Sequence, residues 1–180
     1  MQRLASKSLI LSLGVIALTA RIGRSDSPAP APPVDSAAVS AFERFKALAG
    51  EWEGKSTKGW TDRVRYRVIA AGSVVEGTSF DAHPGETMAT MYYLDGDRLL
   101  LTHYCVAKNQ PRLVASSFAA DEKSITFTFL DGTNLRSRDQ GHMDKVVYRF
   151  HDPDHFTSRW TWYQDGQERW MEEIEHRRVR

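Results

Sequence analysis

His103 and Cys105 stand two residues apart in the run RLLLTHYCVA (98–107). On an extended chain that spacing points both side chains the same way, roughly 6.5–7 Å apart. Such a pair can ligate a metal jointly or let the imidazole activate a thiolate. It equally suits a buried cysteine acting as a small hydrophobe beside a histidine that hydrogen-bonds a neighbour. No other His, Cys or Asp falls at zinc-site spacing, and the chain contains neither G-x-S-x-G, a P-loop, a dinucleotide fingerprint nor H-E-x-x-H. Glu172 and Glu173 are adjacent, so on a strand they face opposite ways and do not form a working carboxylate pair. The sequence therefore assigns no catalytic residue and no metal ligand. It leaves catalysis open, with a binding role preferred.

The remaining polar candidates gain meaning only once a face is assigned to each. In 98–107, the face carrying Leu99, Leu101, His103 and Cys105 lacks the arginine and is read as inward. In 145–151, Val146, Tyr148 and Phe150 oppose Lys145, Arg149 and His151; carrying that parity back places His142 near a mouth of the sheet. In 155–164, Phe156, Trp160 and Trp162 oppose Thr157, Arg159 and Tyr163. The interior so built is aromatic with a few polar points: His103, Cys105, Tyr148, His142 and Glu172. Apolar walls with sparse polar groups suit a small, partly apolar ligand, although small barrels are also packed solid by such residues. Asn109, Gln110, Pro111 and Arg112 read as a donor-rich hairpin loop, in which the Arg112 fork could hold a carboxylate or phosphate. Asn134, Arg136 and Arg138 fall in a long segment between Asp131 and Asp144, the length at which lids occur. The ligand-binding set is then His103, Cys105, Asn109, Arg112, Asn134, His142, Tyr148, Trp160 and Trp162.

The elements that must position these residues are mostly strands. Thr61 to Ala70 alternates Val64, Tyr66 and Val68 with Arg63, Arg65 and Arg67, the pattern of a half-buried antiparallel strand. Further strands are expected at 73–80, 87–94, 98–107, 112–118, 124–130, 145–151, 155–164 and 167–177, besides the segment of Trp52. The last of these could equally be helical, through Trp170, Ile174 and Arg177. Asp95-Gly96-Asp97, Asp131-Gly132 and Asp165-Gly166 supply the positive φ of tight hairpins, and Asp152-Pro153 marks another turn. Before the strands, Val39, Phe42, Phe45 and Leu48 predict one short helix, capped by Asp35 or Ser36 and stopped at Gly50. Many hairpin-linked strands with a single helix predict an antiparallel up-and-down β-barrel of about 8–10 strands, whose closure removes exposed edges.

Residues 1–20 read as a signal peptide: Arg3 and Lys7 precede a 13-residue uncharged stretch (8–20) too short to span a membrane as a helix. Residues 21–35 form a Pro/Ala linker, leaving 36–180 as the barrel domain. Export to the periplasm or beyond, with no stable membrane anchor after cleavage, is the expected localisation. The whole chain carries a formal charge of +1; losing Arg3 and Lys7 leaves about −1, which gives no electrostatic attraction to nucleic acid. Cys105 is the only cysteine, so no intrachain disulfide can form.

Gly50-Glu51-Trp52, a G-x-W after a helix and at the start of the first strand, resembles the lipocalin and calycin group. With Gly54 it also resembles nitrobindin-type haem barrels. Those resemblances imply that Trp52 closes one end of the barrel beneath a basic residue of the last strand, a cation–π contact. Arg177 or Arg178 can fill that place, with Arg177 taken beside Gly50 and Trp52 as the closing set. Over most of residues 42–180, the segments Leu101 to Cys105, Asn109 to Arg112, Asp131 to Asn134, Gly141 to Met143 and Asp154 to Phe156 are similar to a bacterial family known only as a lipocalin-like domain of unknown function. That likeness implies the fold and brings no activity. The expected function is binding of a small hydrophobic or amphipathic ligand in the lumen. The alternatives are a small-molecule enzyme using His103, or a haem barrel ligated through His103, His142 or His155. No resident cofactor is assigned.

Overall fold

Alternating apolar and polar residues become ten strands in the computed structural model, which describes residues 37–83, 86–118 and 123–180, without the side chains of His83 and Trp170. The expected signal segment, linker and helix-capping residues Asp35 and Ser36 lie outside the described residues. The strands are β1 Gly50–Ser56, β2 Thr61–Ile69, β3 Val74–His83, β4 Glu86–Asp95, β5 Arg98–Tyr104, β6 Gln110–Phe118, β7 Ser124–Thr133, β8 His142–Asp152, β9 His155–Gln164 and β10 Gln167–Arg178. Each pairs antiparallel with its neighbour in the chain, and β1 also pairs with β10, so the sheet closes into a barrel. The up-and-down barrel with one short helix is the expected architecture, and the last segment is a strand rather than a helix.

The Arg63, Arg65, Arg67 stripe lies outside and is neutralised pair by pair, against Asp81, Glu51 and Glu76. On the opposite face Val64 and Tyr66 are buried in the lumen. The helix, α1 (Ala37–Ala47), buries Ala38, Ala41, Phe42 and Phe45. Phe45 reaches into one end of the barrel, stacked on Tyr92 at 4.3 Å and edge-on to Tyr148 at 5.1 Å. That end is therefore filled with aromatic side chains.

Two turn expectations need correction. The helix ends at Ala47, and Gly50 is the first residue of β1, with φ +131°. That φ is one side chains rarely adopt, and a Cβ there would lie 3.0 Å from Arg178 Nη1, so glycine serves the entry into β1 rather than a helix stop. Asp131-Gly132 is not a hairpin: both residues continue β7, where Asp131 sits opposite Arg112. Gly96 and the Asp165-Gly166 pair do take positive φ at their turns, as expected.

The closing arginine is Arg178, not Arg177. Arg178 is the β10 partner of Trp52 in the ladder, whereas Arg177 faces out and binds Glu175. The Arg178 guanidinium lies 4.4 Å from the Trp52 ring centre. It donates to the carbonyls of Ala47 and Ala49, each at 2.9 Å, to that of Pro153 at 3.1 Å, and to Asp154 at 3.0 Å. Trp52 in turn donates its indole N–H to the Leu48 carbonyl at 2.7 Å. Arg178→Ala should thus lower unfolding stability by about 2–4 kcal/mol, through several lost charge-assisted bonds. Arg177→Ala should change it by no more than about 0.5 kcal/mol. Urea unfolding of both variants measures the difference.

Candidate functional site

Because alternate residues of each strand point inward, the open half of the barrel collects side chains from seven strands. Two adjoining spaces result. An inner cavity of about 60 Å³ lies above Tyr66, Tyr92 and Tyr148. A wider vestibule of about 600 Å³ lies at the mouth, and Ala82, Met88, Met143 and Glu172 border both. A water needs about 10–15 Å³ of such volume, so the inner cavity holds a few waters or a small head group.

Of the sequence-expected residues, His103, Tyr148 and Trp160 line the inner cavity, while Cys105 and Trp162 line the vestibule. His103 is 5% exposed; its Nδ1 bonds Thr90 Oγ1 at 2.9 Å, and its Nε2 has no protein partner. Its ring lies 5.1 Å from that of Trp160. Burial pulls its pKa down to about 4, which makes it a weak base at neutral pH. Tyr148 shares a 2.5 Å hydrogen bond between hydroxyls with Tyr92, and burial raises both phenols far above their usual range. Strand β5 ends at Tyr104, so Cys105 starts the turn at the rim, and burial pushes its thiol up, away from the thiolate. His103 and Cys105 consequently face different spaces. Among the described residues no three His, Cys, Asp or Glu side chains gather as a metal site.

Four expected ligand contacts lie elsewhere. A bulge between Met143 and Lys145 shifts the parity of β8, so Met143 takes the inward place expected for His142. His142 is instead fully buried against Phe129 and Tyr163. Its Nδ1–H donates to the Gln140 carbonyl at 2.6 Å, and Arg138 donates to its Nε2 at 2.5 Å. Asn109 is also fully buried, donating to the Gly141 carbonyl at 2.8 Å, and so pins the β5–β6 turn to the segment 134–141. Arg112 forms a fork with Asp131 on the outside of the sheet. Asn134 takes positive φ and bonds Gln110 at the turn. The 134–141 segment is held by these bonds.

The cavity also contains groups that the sequence reading missed. Asp62 is 2% exposed and accepts from Ser79 Oγ at 2.5 Å, Phe80 N at 3.1 Å and Asp81 N at 2.7 Å. It shares parity with Val64 and Tyr66, so one further step of the same alternation points to it. His176 is 3% exposed, stacked on Phe156 at 4.3 Å, with Nε2 on Ser158 Oγ at 3.0 Å and Nδ1 unpartnered. Both residues pair with Gly54, whose missing side chain leaves room for them: a Cβ there would sit 3.4 Å from His176 Nδ1. Glu172, expected as an interior polar point, is aimed inward by a bulge at Met171. Its Oε2 accepts from Ser56 Oγ at 2.6 Å. Burial raises the pKa of Asp62 and Glu172.

In this arrangement the imidazoles are weak bases and the phenols are held protonated. It does not fit haem. His103 opens onto only about 60 Å³ beside Trp160, His142 is walled off, and His155 stacks on His151 at 4.4 Å and meets Glu175 at 3.2 Å. No protein-family model matches the chain, and no curated protein matches it either.

The two buried histidines give a signed expectation. Their folded pKa values, about 4 for His103 and about 3 for His176, lie below the ordinary value of 6.5. The unfolded chain therefore binds protons first, and stability falls as pH drops from 6.5 toward those values. Asp62 and Glu172, raised in the fold, act in the opposite sense, because their protonation as pH falls favours the folded state. His103→Gln and His176→Gln should each flatten the loss of stability between pH 6.5 and 4, measured by urea unfolding across that range.

Proposed function

We propose that this barrel is a binding protein for a small amphipathic molecule, whose body lies in the vestibule and whose polar end enters the inner cavity. The observation that carries the reading is that the two spaces adjoin, with Ala82, Met88, Met143 and Glu172 lining both. The inner cavity is too small for a whole ligand of ordinary size, since an apolar cavity of about 150 Å³ is what accepts benzene. The vestibule, at about 600 Å³, falls within the size range of ligand sites. Trp162, Met88, Met143 and Met171 provide apolar, adaptable contact there. The proposal places the chain with lipocalin-like barrels, with export directed by residues 1–20.

Binding can be read from intrinsic fluorescence, because Trp160 and Trp162 border the two spaces. Titration with an anilinonaphthalene probe should shift tryptophan emission and enhance probe emission. Ala82→Phe, which fills the neck between vestibule and cavity, should weaken the probe at least tenfold. Absence of binding to the wild-type barrel, by a panel of apolar and amphipathic probes, overturns the reading.

A further inference from the structure

The two spaces differ in charge. Among the residues lining the inner cavity are two carboxylates, Asp62 and Glu172, and neither lysine nor arginine. At the vestibule, by contrast, Lys58 and Arg169 stand against Glu86 and Glu172. Negative charge therefore concentrates toward the deep end. His103 and His176 do not offset it, because both are buried in a setting that keeps the imidazole neutral.

The two carboxylates have different duties. Asp62 already accepts from a hydroxyl and two backbone N–H groups where β3 departs from β2, so it acts as a fixed charge in the wall. Glu172 has one oxygen on Ser56, and its carboxylate faces both spaces. A second acceptor stands across the cavity. When His103 Nδ1 donates to Thr90, its unpartnered Nε2 presents a lone pair in a side chain only 5% exposed. A buried polar atom without a partner marks a place where a ligand or water must complete the bonding. Trp160, beside His103, adds an indole to the same wall, and indoles attract cations.

We infer that the inner cavity is a subsite for an organic ammonium group, carried on the apolar body that occupies the vestibule. An ammonium offers three donors and no acceptor. It matches the open oxygen of Glu172, the free Nε2 of His103 and the fixed charge of Asp62. A carboxylate head would face two like charges, and a hydroxyl head would satisfy only one acceptor. This inference rests on the amphipathic-ligand reading given above and specifies its polar end.

Isothermal titration at pH 8 with octylamine, octanol and octanoate tests it on the wild-type chain, Glu172→Gln and Asp62→Asn. Octylamine should bind at least tenfold more tightly than octanol, with octanoate the weakest. Glu172→Gln keeps an acceptor for Ser56 and should cost the amine about tenfold, and octanol, whose hydroxyl can still donate to the amide oxygen, no more than about twofold. Asp62→Asn should weaken the amine selectively as well. Equal binding of amine and alcohol overturns the ammonium subsite while the barrel remains a ligand binder. So does an amine preference that survives in both variants. Failure of all three probes to bind removes the amphipathic-ligand reading itself. Thermal unfolding of each variant confirms that binding is compared between folded proteins.

Discussion

One guanidinium fixes which end of this barrel is closed. Arg178 lies on the Trp52 ring while bonding the end of the helix, the start of β1 and the β8–β9 turn. Three segments distant in sequence, 47–52, 153–154 and the end of β10, thereby meet at one planar cation, with each of its nitrogens engaged. The helix is then held so that Phe45 enters the barrel and stacks on Tyr92. Aromatic volume is concentrated at that end, with Trp52, Phe45 and Phe156 all below 2% exposed. Space is left at the opposite end, where the side chains are smaller or polar. The cavity follows from this unequal filling of a closed sheet.

Above the aromatic plug, polar groups are arranged by strand parity and by two of the places where the register shifts. Thr90, His103, Tyr92 and Tyr148 occupy inward positions on β4, β5 and β8, and a line of hydrogen bonds links histidine to threonine and tyrosine to tyrosine. The bulge at Met171 brings Glu172 into the lumen, and the one between Met143 and Lys145 removes His142 from it. Each extra residue exchanges a side chain on one face for its neighbour, which is how bulges re-aim a position without altering the fold.

The fold was legible because alternation and turn chemistry agree over most of the chain. Val64, Tyr66 and Val68 against three arginines, and Asp165-Gly166 between two strands, leave few alternatives. The inward residues of β5 and β9 could be read for the same reason. The site was less legible where a local irregularity intervened. Parity alone misplaces His142 because nothing in its segment signals the bulge beside it, and Arg112 reads as open because its cross-strand partner, Asp131, carries the Asp-Gly signature of a turn. His176 escaped notice because β10 carries charged residues on both faces near its end, which blurs the two-residue period. Asp62 needed only a longer extension of a pattern already in view. The choice between Arg177 and Arg178 depended on the register of β10 against β1, a long-range fact outside local pattern.

Gly141 adds a mechanical aspect to the entrance. A methyl group at that position would come within 2.4 Å of the Trp162 indole, so the backbone of the 134–141 segment lies directly against the ring. The same segment is tethered to the β5–β6 turn through Asn109. One side of the doorway is thus the Trp162 ring, backed by a backbone that the Asn109 side chain tethers. Beside it on β8 is Met143, and β4 contributes Met88; both thioethers deform easily. A ligand of the proposed kind would pass a braced indole and two pliant thioethers, and its girth would be set by how far the methionines fold away.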